Sequence, residues 1–170
     1  EFLRCDNLFW PATGTIAEDG GTHTLTIQIA TASAKTITVD YAISASSTTK
    51  SGQDYTFSAG TATIAAGATT TTADVTVIND LVDEPDQTLI VSLSDPTNST
   101  VGTNSSHTLT ITDNDDPPTI AFSSTASSAS EATAAVTLTV AQSDTSEYDV
   151  SVAYTVSGTA TDGGADHDLS

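Results

Sequence analysis

The sequence predicts an all-β protein folded as a β-sandwich, and three observations carry that expectation. Apolar residues recur with a period of two in several short runs. Gly, Pro, Asn and Asp cluster between those runs, where turns are needed. Thr, Ser and Ala dominate the remainder, while Met is absent and Lys plus Arg number only 3, a composition poor in helix formers.

The first two runs are Leu25, Ile27 and Ile29, alternating with Thr and Gln, and Ile37, Val39, Tyr41 and Ile43, alternating with Thr, Asp and Ala. Both read as half-buried strands, and the short polar connection Ala30 to Thr36 predicts a hairpin between them. Asp54 to Phe57 and Ala62 to Ile64 predict two weaker strands around Ala59-Gly60, with Ala65-Ala66-Gly67 as the next turn. Val75 and Val77, then Leu89, Val91 and Leu93, predict a hairpin around an acidic loop holding Asp80, Asp83, Glu84 and Asp86, stiffened by Pro85. Asp95-Pro96-Thr97-Asn98 reads as a turn, and His107 to Thr112 as the closing strand before the run Asp113-Asn114-Asp115-Asp116-Pro117-Pro118. The core is expected to come from Val, Ile, Leu and Ala, with Trp10 and the few Tyr and Phe as its large members. His23 and His107 are expected on outward faces, and His167 is remote from both, so the histidines read as surface residues.

The pattern then begins again. Glu18, Leu25, Val39 and Tyr41 recur at one constant offset as Glu131, Leu138, Val152 and Tyr154. Gly52-Gln53-Asp54-Tyr55 matches Ala165-Asp166-His167-Asp168 after a one-residue slip that a loop tolerates. The expected organisation is an irregular or cloning-derived N-terminus at 1–6, a complete domain at 7–116, a linker at 117–118 and the N-terminal half of a second domain at 119–170. That half ends before any counterpart of the acidic loop, as in a piece of a longer polypeptide. Its open sheet edges are expected to pair with another molecule or to pack on the first domain.

Charge points to chemistry. The net charge is -19, and from Ser51 onward the chain has no Lys or Arg. Two like charges about 4 Å apart repel by roughly 4 kcal/mol at an effective dielectric near 20. The acidic loop must therefore splay into water, take up protons or hold a cation, and no basic side chain is expected near it. Oxygen donors without a Cys or His cluster favour a hard ion, and calcium accepts about six to eight oxygens from flexible loops. In a sandwich, loops at one end would bring together Glu18-Asp19, Asp54, Asp80 to Asp86, and Asp113, Asp115 and Asp116. Their spread over four loops favours a metal over a merely solvated acidic face.

So acidic a surface excludes nucleic acid and anionic membrane surfaces as partners, and no apolar run suffices for membrane insertion. Cys5 is the only cysteine, so no intrachain disulfide is possible. No signal segment opens the chain, and no Ser or Cys nucleophile motif or phosphate-cradling glycine loop occurs. Asp162 to Asp168 matches a glycine-rich calcium repeat poorly and occurs once, and the sequons at Asn98 and Asn104 are expected by chance in a chain so rich in Ser and Thr.

Three motifs carry a family resemblance: Ser51-Gly52-Gln53-Asp54-Tyr55, Ile78-Asn79-Asp80-Leu81-Val82-Asp83-Glu84-Pro85-Asp86-Gln87, and Thr110-Ile111-Thr112-Asp113-Asn114-Asp115. The chain resembles the Calx-β domain, with a complete copy from Asn7 to Asp116 and the first half of another from Thr119 to Ser170. The resemblance implies an immunoglobulin-like antiparallel sandwich of about seven strands with calcium sites at one end. It implies ligands at Glu18, Asp54, Asp80, Glu84, Asp113 and Asp115, with the Val82 carbonyl beside them; Asp116 joins these as a neighbour in the terminal run. Glu131 and Asp166 are the metal candidates of the second copy. Asn79 and Gln87 stand where the family's exchanger members have carboxylates, which predicts fewer ions or weaker binding.

The expected function is non-enzymatic: a calcium-bound structural module of an extracellular or cell-surface array, bacterial in origin, serving adhesion or spacing, with neighbouring domains as partners. A calcium sensor is the alternative. A two-carboxylate glycosidase ranks below both, because few aromatics remain to line a sugar cleft.

Overall fold

The alternating runs become strands, and their inward faces define the core. A computed structural model describes residues 6–9, 11–50, 52–130, 133 and 135–158. The strands are β1 (Asp6–Phe9), β2 (Thr13–Ala17), β3 (Thr22–Ile29), β4 (Ile37–Ile43), β5 (Tyr55–Thr56), β6 (Gly60–Ile64), β7 (Thr70–Val77), β8 (Gln87–Thr97), β9 (Thr100–Val101), β10 (Ser106–Thr112), β11 (Ile120–Phe122) and β12 (Val140–Gln142). One sheet runs β5-β7-β3-β1-β9 and the other β2-β10-β8-β4-β6. The fold is the expected sandwich. Most neighbours are antiparallel, but β1–β9 and β2–β10 are parallel, because the N-terminal segment changes sheets around Pro11.

The core lies between the sheets. Leu25, Ile27 and Val75 from one face meet Val39, Leu89, Val91 and Leu109 from the other. This arrangement corrects both expected hairpins. β3 and β4 lie in different sheets, as do β7 and β8, so Ala30 to Thr36 and the acidic loop each cross from sheet to sheet. Period two fixes which face of a strand is buried and not which strand lies beside it; here the two buried faces of each pair oppose one another across the core.

Two further expectations change. The segment Asp95-Pro96-Thr97 continues β8 instead of turning: Asp95 has φ 48 and the register with β4 shifts between Thr38 and Asp40, a bulge in which the missing proline N–H costs no ladder bond. The turn comes at Asn98, φ 60. His107 is 1% exposed and shares the inward parity of Leu109 and Ile111, while His23 shares that of Leu25 and Ile27. Their rings lie 5.5 Å apart, and the His107 Nδ1 is 2.8 Å from the Pro11 carbonyl. β2 passes over both rings at Gly14, where a Cβ would stand 2.8 Å from His23 and 3.2 Å from His107. Trp10 and Cys5 lie outside the described residues.

The two ends of the sandwich are closed differently. At one end Ile29, Ile37 and Ile64 form a second apolar cluster with Ala68, and the Gly67 N–H to Ser33 carbonyl bond of 2.8 Å ties the loops above it. The other end carries the acid. After Pro117-Pro118, β11 and β12 form an antiparallel pair, and Val136, Leu138, Val152, Tyr154 and Val156 beyond β11 are exposed.

Leu89 is fully buried at the centre of the core. Leu89→Ala is expected to cost about 2–5 kcal/mol, measured by urea unfolding of the ion-free chain. A loss under about 1 kcal/mol would show that the two sheets do not pack there.

Candidate metal centre

Each acidic segment is the end of a strand, and hydrogen bonds lock the segments to one another. The turn after β2 is a short 3-10 turn, Glu18–Gly20, whose Gly21 carbonyl accepts the Val77 N–H at 2.7 Å. The Asp54 carbonyl accepts the Ile78 N–H at 3.0 Å, which places the start of β5 beside the end of β7. Within the crossing loop, Asp80 Oδ1 accepts the Val82 N–H at 2.8 Å. Asp86 Oδ1 accepts the Asp113 N–H at 3.3 Å, joining that loop to the end of β10.

This framework brings together most of the carboxylates that the sequence singles out. Oxygens of Glu18, Asp80 and Asp115 lie within 4.8 Å of one another. Glu18, Asp54, Glu84 and Asp113 line a small pocket with Pro85, Gln87 and Ile111. Glu18 and Asp54 are each only 4% exposed. Asp116 is exposed and outside both groups, as are Asn79 and Asn114. Glu131 and Asp166 lie outside the described residues.

The electrostatics are strained. Burial pushes the Glu18 carboxyl above its ordinary range, and the charges of Asp80, Asp115 and Asp113 add to this, while the Asp80 backbone N–H opposes it. Burial likewise raises Asp115, helped by Asp113, Asp80 and Asp116. Glu84 is pushed up to about 7, first by burial and then by the charges of Glu147, Asp54 and Asp80. All three shifts show carboxylates short of counter-charge.

Polar atoms left over define what fits. Glu18 Oε2, Gln87 Oε1, Asp113 Oδ1 and Asp115 Oδ2 are buried without a hydrogen-bond partner among the described residues. Gln87 directs its Nε2 to Glu84 Oε2 at 2.7 Å, which leaves its own oxygen free. Orphaned buried acceptors are costly, and acceptors grouped in this way, all of them oxygen, suit a hard divalent cation. Glu18, Asp80 and Asp115 would hold such an ion, with Asp54, Glu84, Gln87 and Asp113 close by.

Sequence reasoning misses two participants. No basic side chain is expected near the acidic loop, yet the Lys50 ammonium pairs with Glu147 and lies near Glu84 and Asp54. The backbone brings it there: the Lys50 carbonyl accepts the Asp54 N–H at 3.0 Å, and the Lys50 N–H donates to Asp54 Oδ2. Glu147 comes from the segment after β12, and a contact between regions so far apart along the chain leaves no local pattern.

The Calx-beta domain model matches residues 8–115 and 113–169. Among solved structures, the chain is similar to the apo-form Calx CBD1 domain, with 22% identity and a TM-score of 0.62 over 68% of this chain and 100% of that one. It is equally similar to CBD12 from CALX1.2, 22% identical with a TM-score of 0.62, over 70% of this chain and 48% of that one. The calcium binding domain CBD12 of CALX1.1 aligns likewise, 22% identical with a TM-score of 0.62, over 69% and 48%. The chain thus spans about half the length of the CBD12 chains. No match was found among curated proteins.

Glu84 makes stability depend on pH. Its carboxyl ionises near 4.5 ordinarily and at about 7 in the fold, so between those values the folded protein keeps a proton that the unfolded chain has released. Stability from this group is full below pH 4.5 and is lost as pH rises through about 7. In chelator, the melting temperature is expected to fall from about pH 5 to about pH 8, and Glu84→Gln is expected to flatten that fall. An equal slope in the variant would assign the dependence elsewhere.

Proposed function

The chain belongs to the Calx-beta domain family, and from that membership we propose that residues 7–116 form a calcium-binding structural module. The supporting observation is the acidic end of the sandwich, where Glu18, Asp80 and Asp115 converge and a carboxylate oxygen of the buried Glu18 has no protein partner among the described residues. The segments that meet there come from both sheets. An ion bound among them cross-links the end of β7 to the ends of β2 and β10, to which no backbone ladder joins it, and it offsets the burial and the repulsion that raise Glu18, Glu84 and Asp115.

The module acts as a non-enzymatic spacer or adhesive unit in a repeat array at a bacterial surface. Recurrence of the same positions at a constant offset supports the array, and the net charge of -19 suits a protein kept soluble outside the cell. Asp113 to Asp116 both borders the site and begins the junction with the next unit, so calcium stiffens the joint as well as the domain. Residues 117–118 are the linker and 119–170 the first half of the following unit, whose open edges pair with neighbouring structure.

Melting the chain in calcium, in magnesium and in chelator tests this. At ten- to hundred-fold excess over Kd, calcium is expected to add about 1.4–2.7 kcal/mol, and magnesium less. Glu18→Gln, which removes one of the repelling charges, is expected to melt no lower than wild type in chelator but to gain little from calcium. Identical melting of wild type in all three conditions would refute a calcium module.

A further inference from the structure

The second unit touches the first at the acidic end. Beyond β12, Asp83 and Ser146 form a parallel bridge, and the Asp83 carbonyl accepts the Glu147 N–H at 2.9 Å. Ser146 Oγ donates to Asp83 Oδ2 at 2.7 Å, and the Tyr148 N–H is 3.1 Å from the same hydroxyl. Thus the backbone on both sides of Glu147 is anchored. Its side chain is held between the Lys50 ammonium and the Glu84 carboxyl.

We infer that Glu147 is a further cation-binding carboxylate of the first unit's site, contributed by the second unit, so that a divalent ion held there joins the two. This rests on the reading of the acidic end as a calcium site and adds to it a ligand from across the junction. Three observations carry it. First, Glu147 faces Glu84, which lines the same pocket as Glu18 and Gln87. Second, those two side chains are more than nine-tenths buried, and each has an oxygen without a hydrogen-bond partner among the described residues. Third, the offset that relates Glu18 to Glu131 makes Ala34 the counterpart of Glu147, in a segment, Ala30 to Thr36, without any carboxylate. The acid at 147 is therefore not part of the repeat, and it stands where the second unit meets the first unit's site.

Lys50 has a definite place in this arrangement. Without a divalent ion it is the cation nearest Glu147 among the described residues, and it holds the second unit by an ion pair. A calcium ion beside Glu84 and Glu147 takes over that task with more charge and more ligands. Removing Glu147 and removing Lys50 then have opposite consequences for calcium: one deletes a ligand, the other a competitor.

Calcium titrations of the 170-residue chain by calorimetry, with hydrogen exchange of peptides across 140–158, test the inference on wild type, Glu147→Gln, Glu147→Asp and Lys50→Met. Wild type is expected to bind calcium and to exchange more slowly around Ser146 to Tyr148 when it does. Glu147→Gln is expected to bind with affinity lower by on the order of tenfold and to lose the calcium-dependent slowing. Glu147→Asp is expected to restore part of both, and Lys50→Met to bind as tightly as wild type or more tightly. If Glu147→Gln binds with unchanged affinity, the inference fails while the first unit's site stands. If Lys50→Met weakens binding as much as Glu147→Gln does, Glu147 acts only by docking the second unit, and the inference again fails. A wild type that binds no calcium removes the site itself.

Discussion

Mutual repulsion among carboxylates that the apolar core does not allow to separate is the constraint on which the rest depends. The inward faces of β3, β4, β7, β8 and β10 fix the strands in register, and their ends carry the acidic segments with them. Glu18 cannot swing out, because it is buried in a turn that packs on Ile16; a Cβ on Gly20 would stand 2.5 Å from that side chain. The hydrophobic energy of the core thus holds charges closer than they would settle in water. Burial first, and the crowding of charges after it, raise the carboxyls of Glu18, Glu84 and Asp115. Anything that neutralises the acidic end, proton or cation, is thereby coupled to the stability of the whole sandwich.

The crossing loops explain why the acids meet. Hairpins would have placed the ends of β7 and β8 side by side in one sheet, with their loop extending into solvent. Because the chain instead crosses between sheets after β7, the loop from Ile78 to Asp86 lies over the end of the core, where β2, β5 and β10 also begin or end. The far end of the sandwich is closed by Ile29, Ile37 and Ile64 and by direct bonds such as the Asn98 amide to the Thr36 carbonyl at 2.9 Å. One end is sealed by apolar contact and hydrogen bonds. The other gathers oxygen acceptors that have no hydrogen-bond partner among the described residues.

Which parts of this are legible in the sequence follows from the range of the interactions. Strand positions and their buried faces depend on local alternation, and Leu25, Val39, Val75, Leu89 and Leu109 all occupy the core that their spacing predicts. Sheet partnership depends on contacts distant in sequence, so local pattern misplaces the hairpins. His107 is misread because it is assigned to the outward set of the alternation; it shares the parity that buries Leu109 and Ile111 and is buried with them, with the Pro11 carbonyl as a partner for its ring. At the acidic end, negative charge without local cations marks loops that the fold brings together. Neither the exposure of Asp116 nor the arrival of Lys50 can be read there, since each depends on how loop backbones turn.

The junction shows where a repeat protein can place information that its period does not carry. Positions that recur from one unit to the next, such as Leu25 with Leu138 and Val39 with Val152, say nothing about how units are joined: Leu25 and Val39 are buried in the first unit's core, while their counterparts are exposed. A joint has to be built from departures from the period. Glu147 in place of Ala34 is one, and it meets Asp83, Glu84 and Lys50, all on the loops that form the acidic end. The same loops therefore answer two demands, closing their own unit and receiving the next. Charge suits that double role, because the free energy of such a contact depends on the counter-ions present, whereas an apolar joint would be fixed once formed.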